Sequence, residues 1–245
     1  MTAPTQVLEV MKKKDNARVR MWLDICARCG LCAESCHFFL SNPDHPDYTP
    51  AYKNKPLLLA YAKKGDLTSE ELDWLTDYAY GTCNMCQRCS MYCPYGISIA
   101  FLTRTARSIA VAHGRTPPNL ARGTKDHLEF GNNMAIPEED YVETIEWQLE
   151  ELQEELPEAE APIEKEGAEV LITFNPRDIK FYPQNLHAYL KIYNACNENF
   201  TMASTGWDST NYGLFTGDDA AAKYMTGLVV DAGKRLKVSK VASAE

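Results

Sequence analysis

Nine cysteines are the residues of this 245-residue chain best suited to chemistry, and eight of them fall in two short windows. The first reads Cys26-x-x-Cys29-x-x-Cys32-x-x-x-Cys36. The second reads Cys83-x-x-Cys86-x-x-Cys89-x-x-x-Cys93 and is followed by Pro94. This spacing is the run that wraps a [4Fe–4S] cluster. Each of the four irons of a cubane needs one further thiolate. Three cysteines at three-residue steps on a tight curve of chain reach three irons from one side. In two-cluster proteins the fourth cysteine of each run serves the other cluster. The windows therefore predict two [4Fe–4S] clusters, one on Cys26, Cys29, Cys32 and Cys93, the other on Cys83, Cys86, Cys89 and Cys36.

Other thiol chemistries fit less well. Disulfides suit secreted chains, and no signal-type segment is read before the first window. Zinc sites use paired cysteines and rarely need a third at the same step. Redox Cys-x-x-Cys motifs do not come in triplets. The ninth cysteine, Cys196, lies near the end of a predicted helix and reads as a small buried apolar residue. Within the windows, Gly30 reads as a point of close backbone approach. Arg28 and Arg88 read as similarly placed cations, and His37 as a structural histidine.

Several helices must position these windows. The pattern predicts a helix over residues 1–20, a loop from Ser41 to Pro56 with four prolines, and a short helix from Leu57 to Lys64 stopped by Gly65. Caps at Asp66, Thr68 or Ser69 open a helix that runs to about Tyr80. After Pro94, residues 97–112 place Ile99, Leu102, Ala106, Ile109 and Ala110 on one face. A looser helical stretch covers 117–130. A long acidic helix covers about 137–156, with a stripe of Tyr141, Ile145, Leu149, Leu152 and Leu156. Residues 157–167 read as an acidic linker. Beyond it the pattern becomes strand, helix, strand, helix, strand, which implies the start of a parallel sheet. The polar stretch Ser204–Gly213 follows its second strand, where open parallel sheets bind ligands, or it is a plain turn.

Charge excludes some functions. The net charge is −9, yet residues 137–166 alone carry −12, leaving +3 for the rest. The stretch 101–125 holds Arg104, Arg107, Arg115, Arg122 and Lys125 without an acid. It is either a docking face for an anionic partner or a solvated helix face. Nucleic-acid binding is not expected from this balance, since no such module is present. No apolar run is long enough to span a bilayer.

The wording of the windows, Cys36-His37-Phe38-Phe39-Leu40 and Cys93-Pro94-Tyr95-Gly96-Ile97, resembles the iron–sulfur subunits of heterodisulfide-reductase-like complexes. The stretch from Gly167 to Phe215 is similar to the start of that family's cysteine-rich catalytic half. Subunits of the sulfite-reduction-associated complex and of sulfur-oxidation assemblies look alike. The resemblance implies an α + α/β fold. A mainly helical two-cluster ferredoxin domain (1–156) would be followed by the linker (157–167) and a small, incomplete α/β unit (168–245). It implies a chain that relays single electrons and has no catalytic site of its own. The partner doing disulfide or sulfur chemistry would carry Cys-Cys-Gly-type noncubane cluster motifs. This chain lacks such motifs, and its last residues, Ser243-Ala-Glu245, fall about where the first is expected. A flavoprotein or a haem-bearing membrane subunit would exchange electrons with it. The location would be cytoplasmic, or the cytoplasmic membrane face through a partner. Alternatives are the iron–sulfur subunit of a membrane quinone-linked oxidoreductase and a cluster-stapled assembly subunit.

Overall fold

Asn16 divides the first expected helix in two. The computed structural model describes residues 3–243; the outermost residues of that helix, Met1 and Thr2, and the last two of the chain lie outside the described residues. Helix α1 (Ala3–Lys14) ends before Asn16, which is extended and accepts a hydrogen bond from the Val19 amide at 3.1 Å, capping α2 (Ala17–Asp24). Asn competes for backbone donors and so favours a cap over a helix interior. The chain then forms α3 (Leu31–Glu34), α4 (His37–Leu40), α5 (Pro50–Lys53), α6 (Lys55–Ala62), α7 (Ser69–Gly81), α8 (Arg88–Tyr92) and α9 (Ile99–Ala112). The proline-rich stretch expected as a loop is largely helical. Pro46 opens a 3-10 turn, and Pro50 and Pro56 sit in the first turns of α5 and α6. There proline's fixed φ suits the helix and its missing N–H costs nothing.

Two units divide the chain, the first holding residues up to Leu120 with Leu214–Asp219, the second Ala121–Gly213 with the residues from Ala220 on. In the first, α9 packs against α1, α6 and α7. The predicted face of α9 is buried as expected, and Thr103, Thr105 and Arg107 are buried too, so α9 is enclosed on more than one side. Val7, Met11, Leu57, Leu75, Leu102 and Ile109 form its core, and Cys26, Cys89 and Cys93 pack against it. At the start of α7, Thr68 and Glu71 form a reciprocal capping box: Thr68 Oγ1 accepts from the Glu71 amide, and Glu71 Oε2 from the Thr68 amide. Thr68→Ala is expected to lower the stability of this unit by about 1 kcal/mol, read by denaturant titration of helical signal.

The chain continues through α10 (Pro118–Phe130), α11 (Glu138–Gln153), β1 (Val170–Thr173), α12 (Pro176–Lys180), α13 (Pro183–Ala195), β2 (Phe200–Met202), α14 (Tyr212–Thr216), α15 (Asp219–Arg235) and β3 (Lys240–Ser243). The fold is mainly helical with one small parallel sheet in the order β2-β1-β3. Val170 pairs with Phe200 on one side and Lys240 on the other. Central β1 is wholly buried, while β3 is largely exposed, as a sheet edge is.

Two further details depart from the sequence reading, and a third resolves an open alternative. The acidic helix α11, expected to close the helical domain, groups with the sheet unit. It packs on α13, and Tyr141 stacks on Trp207 at 4.3 Å between ring centroids. The expected linker is a packed segment. Ile163 bridges to Met202, the Glu164 amide donates to the Met202 carbonyl, and Ala159 is buried. The outer edge of β2 is thereby covered, as exposed edges generally need to be. The polar stretch after β2 is filled by its own fabric rather than open to a ligand. Trp207 and Asp208 are buried, and Asp208 accepts from the amide and side chain of Asn133. Gly206, at φ +76°, lies so close to the Leu228 carbonyl that a Cβ would meet it at 2.5 Å. Among the described residues no helix is long and apolar enough to cross a membrane.

Candidate metal centre

Each cysteine window curls in the same way. Two positions in each are left-handed: Arg28 (φ 54°) and Gly30 (φ 85°) in the first, Met85 (φ 60°) and Gln87 (φ 63°) in the second. These left-handed residues flank Cys29 and Cys86, the second cysteine of each window, so the chain bends sharply there. Non-glycine residues rarely adopt positive φ, and three of these four do. Gly30 takes its left-handed conformation without the strain a side chain would bring. The counterpart of Arg28 is Met85, and that of Arg88 is Leu31. The two arginines are therefore not equivalently placed, contrary to the sequence reading. Cys32 and Cys89 lie in the first turns of α3 and α8, and Cys36 and Cys93 are extended residues at the N-terminal cap of α4 and the C-terminal cap of α8.

Two clefts result. One is lined by Cys26, Cys29, Cys32 and Cys93, with Ala51, Ile97 and Ile99 behind them. The other is lined by Cys83, Cys86, Cys89 and Cys36, with Pro50, Lys53 and Ile99. Cys89 borders both. The clefts enclose about 410 and 340 Å³ of space, their solvent-facing mouths included. Among the described residues no three Cys, His, Asp or Glu side chains converge as ligands of one ion would. Each cleft gathers the thiols that a cubane cluster needs, one for each of its four irons.

The electrostatics point the same way. Burial pushes the Cys89 thiol up to about 12, and the neighbouring Cys83, Cys32, Cys86 and Cys36 add to the shift. Burial also raises the Cys32 thiol, against a backbone hydrogen bond from Ala51 that lowers it. Thiolates gathered in a dry cleft repel one another, and bound iron supplies the positive charge that relieves this.

Two basic side chains support the second window. Lys53, buried and not singled out in sequence, donates from Nζ to Cys36 Sγ at 3.2 Å and lies 4.8 Å from the Phe38 ring centroid. Arg107, buried, donates to the carbonyls of Ala79, Cys83 and Phe215. Arg107 therefore belongs to the interior and not to a docking face. The other cations of the 101–125 stretch have acidic partners: Arg104 pairs with Asp219, Arg115 with Asp73, Arg122 with Asp126 and Lys125 with Glu129. The stretch is a set of local ion pairs. His37 is exposed at the second cleft, its ring 4.6 Å from that of Phe38. Cys196 departs from its expected burial: it caps the C-terminal end of α13 and is exposed.

Comparison with known proteins sharpens this picture. Residues 22–97 match the model of a 4Fe-4S dicluster domain. Over 97% of its length the chain is 26% identical to an Hdr-like menaquinol oxidoreductase iron-sulfur subunit 2 from Archaeoglobus fulgidus. Over 94% it is 24% identical to an Hdr-like menaquinol oxidoreductase iron-sulfur subunit from Archaeoglobus profundus. The chain is a homologue of Hdr-like iron–sulfur subunits. It spans about half the length of these curated relatives, 46% and 44%. No solved structure matches it. The dicluster domain that it matches indicates two [4Fe–4S] clusters. Both windows, and the loop and helices between them, lie inside the matched segment.

Proposed function

We propose that this chain is the electron-transfer subunit of an Hdr-like complex. Cys26, Cys29, Cys32 and Cys93 would hold one cluster, and Cys83, Cys86, Cys89 and Cys36 the other. The observation that carries this reading is the mixed lining of the two clefts: Cys93 joins the three thiols of the first window, with Cys89 also at that border, and Cys36 joins the three of the second. When bound, [4Fe–4S] clusters supply one-electron oxidation and reduction. The chain's own residues hold them and keep water away: Ile97 and Ile99 are buried behind the first cleft, and Ile99 with Cys89 forms a wall common to both. Conversion of a disulfide or other sulfur compound would fall to a partner with Cys-Cys-Gly-type motifs.

The relatives' names add a second element. Both are iron–sulfur subunits of menaquinol oxidoreductases. We infer that the complex of this chain exchanges electrons with a quinone pool, and that a haem-bearing membrane subunit connects the chain to it. The helical unit and the small α/β unit would then sit at the cytoplasmic membrane face. Anaerobic affinity purification from membranes followed by mass spectrometry tests this. Recovery of a haem-bearing membrane subunit, with its haem reduced by a menaquinol analogue, is the expected result. Recovery of a flavoprotein alone, from the soluble fraction, would point to a soluble complex instead.

A further inference from the structure

The two clefts differ in one respect that their cysteine spacing does not explain. Behind the second, Lys53 is 6% exposed, and its Nζ donates to Cys36 Sγ, itself 8% exposed, at 3.2 Å. Pro50 opens α5 and sets that helix so that Lys53, at its last turn, faces inward. The Phe38 ring, 4.8 Å away, covers the ammonium and keeps it from water. Among the described residues lining the first cleft there is no such group; its basic side chain, Arg28, is exposed. Lys55, two residues along, is exposed and lies over the Tyr52 ring at 3.8 Å.

We propose that Lys53 is a positioning residue that biases an electron toward the second cleft. The inference rests on the ligand assignment proposed above. Hydrogen bonds to sulfur and nearby charge raise the potential of a cluster. Reduction adds one negative charge and breaks no bond. A buried cation beside a ligand sulfur favours the reduced form, because in a dry site its field is little screened. Solvent-exposed Arg28 exerts much less effect. The second cleft is thus the more easily reduced of the two, and an electron supplied from outside settles there.

An EPR-monitored redox titration of the anaerobically purified, iron-loaded chain tests this, with dithionite as the electron source. In Lys53→Gln, the equilibrium constant for reducing one cluster is expected to fall about tenfold, equivalent to about 59 mV for one electron. The shifted signal should be the one missing from Cys86→Ala, and the other cluster should stay at its wild-type potential. Lys53→Arg, which keeps the charge, should restore most of the shift, and Lys55→Gln should change neither cluster. Equal movement of both clusters, no movement, or the same shift in Lys55→Gln would overturn the proposal. Loss of iron from both Lys53→Gln and Lys53→Met would also overturn it, since Lys53 would then hold the site together rather than set its potential. A wild-type chain that binds no iron would defeat the functional reading itself, an outcome distinct from all of these.

Discussion

Replacing Cys36 by alanine is expected to remove the same iron as replacing Cys86, although the two belong to different windows. Alanine offers no donor atom, so each variant should lose about half of the bound iron and sulfide. The double variant Cys36→Ala/Cys86→Ala should lose no more than either single one, because the two substitutions act on one group. Cys36→Ala/Cys29→Ala should lose nearly all of it. The expectation comes from the clefts: Cys36 lines the one that holds Cys83, Cys86 and Cys89, and Cys93 lines the one that holds Cys26, Cys29 and Cys32. If each window served its own cluster, Cys36→Ala would instead behave as Cys29→Ala does. Iron and acid-labile sulfide per chain, with the residual EPR spectrum of each variant, distinguish the two arrangements. Crossed ligation also staples the windows together. Loss of either cluster should therefore expose α3 and α8 to faster hydrogen exchange, as metal sites generally hold their local fold.

Arg107→Ala is expected to destabilise the helical unit by about 3 kcal/mol or more, from three buried carbonyls left without a donor. The guanidinium is buried in α9 and donates from Nε to the Ala79 carbonyl at 2.8 Å, and from its two terminal nitrogens to Phe215 and Cys83. It also lies 4.8 Å from the Tyr80 ring centroid. Burial lowers its pKa, and the neighbouring Cys83 and Tyr80 oppose that shift. Arginine nonetheless keeps its proton in proteins. Truncation leaves three carbonyls without their donor in a dry interior, and each such loss costs about 1–3 kcal/mol. One of them belongs to Cys83, the first thiol of the second window, so the damage reaches the cleft. Arg107→Lys keeps the charge but cannot span three acceptors from one planar fork, and should recover less than half of the loss. Denaturant titration followed by visible absorbance of the iron-loaded protein measures the effect. A change below about 0.5 kcal/mol, typical of surface substitutions, would show that these bonds contribute little.

The cysteine spacing carried the chemistry in sequence because cluster ligation needs thiols at short, regular steps, and that is a local property. The stripe of α9, the cap at Thr68 and the alternation around β1 were legible for the same reason. Lys53 and Arg107 were not recognised, because what distinguishes them is burial, which depends on elements far along the chain. Within the sequence, Arg107 looks like its neighbours Arg104 and Arg115, both of which pair with acids at the surface. The 157–167 segment reads as a linker from its prolines and acids. Its pairing with Met202 is a tertiary fact that composition does not carry. Cys196, a small apolar residue by type, reads as buried, yet its place at the end of α13 turns it outward.

The central claim is that this chain holds two redox clusters near enough to act as one relay. EPR of the anaerobically purified, dithionite-reduced protein tests it most directly. With Cys89 and Ile99 common to both clefts, the account predicts two [4Fe–4S]⁺ signals broadened and split by mutual spin coupling. A colourless protein that carries zinc, or a single uncoupled cluster signal at full iron loading, would contradict it.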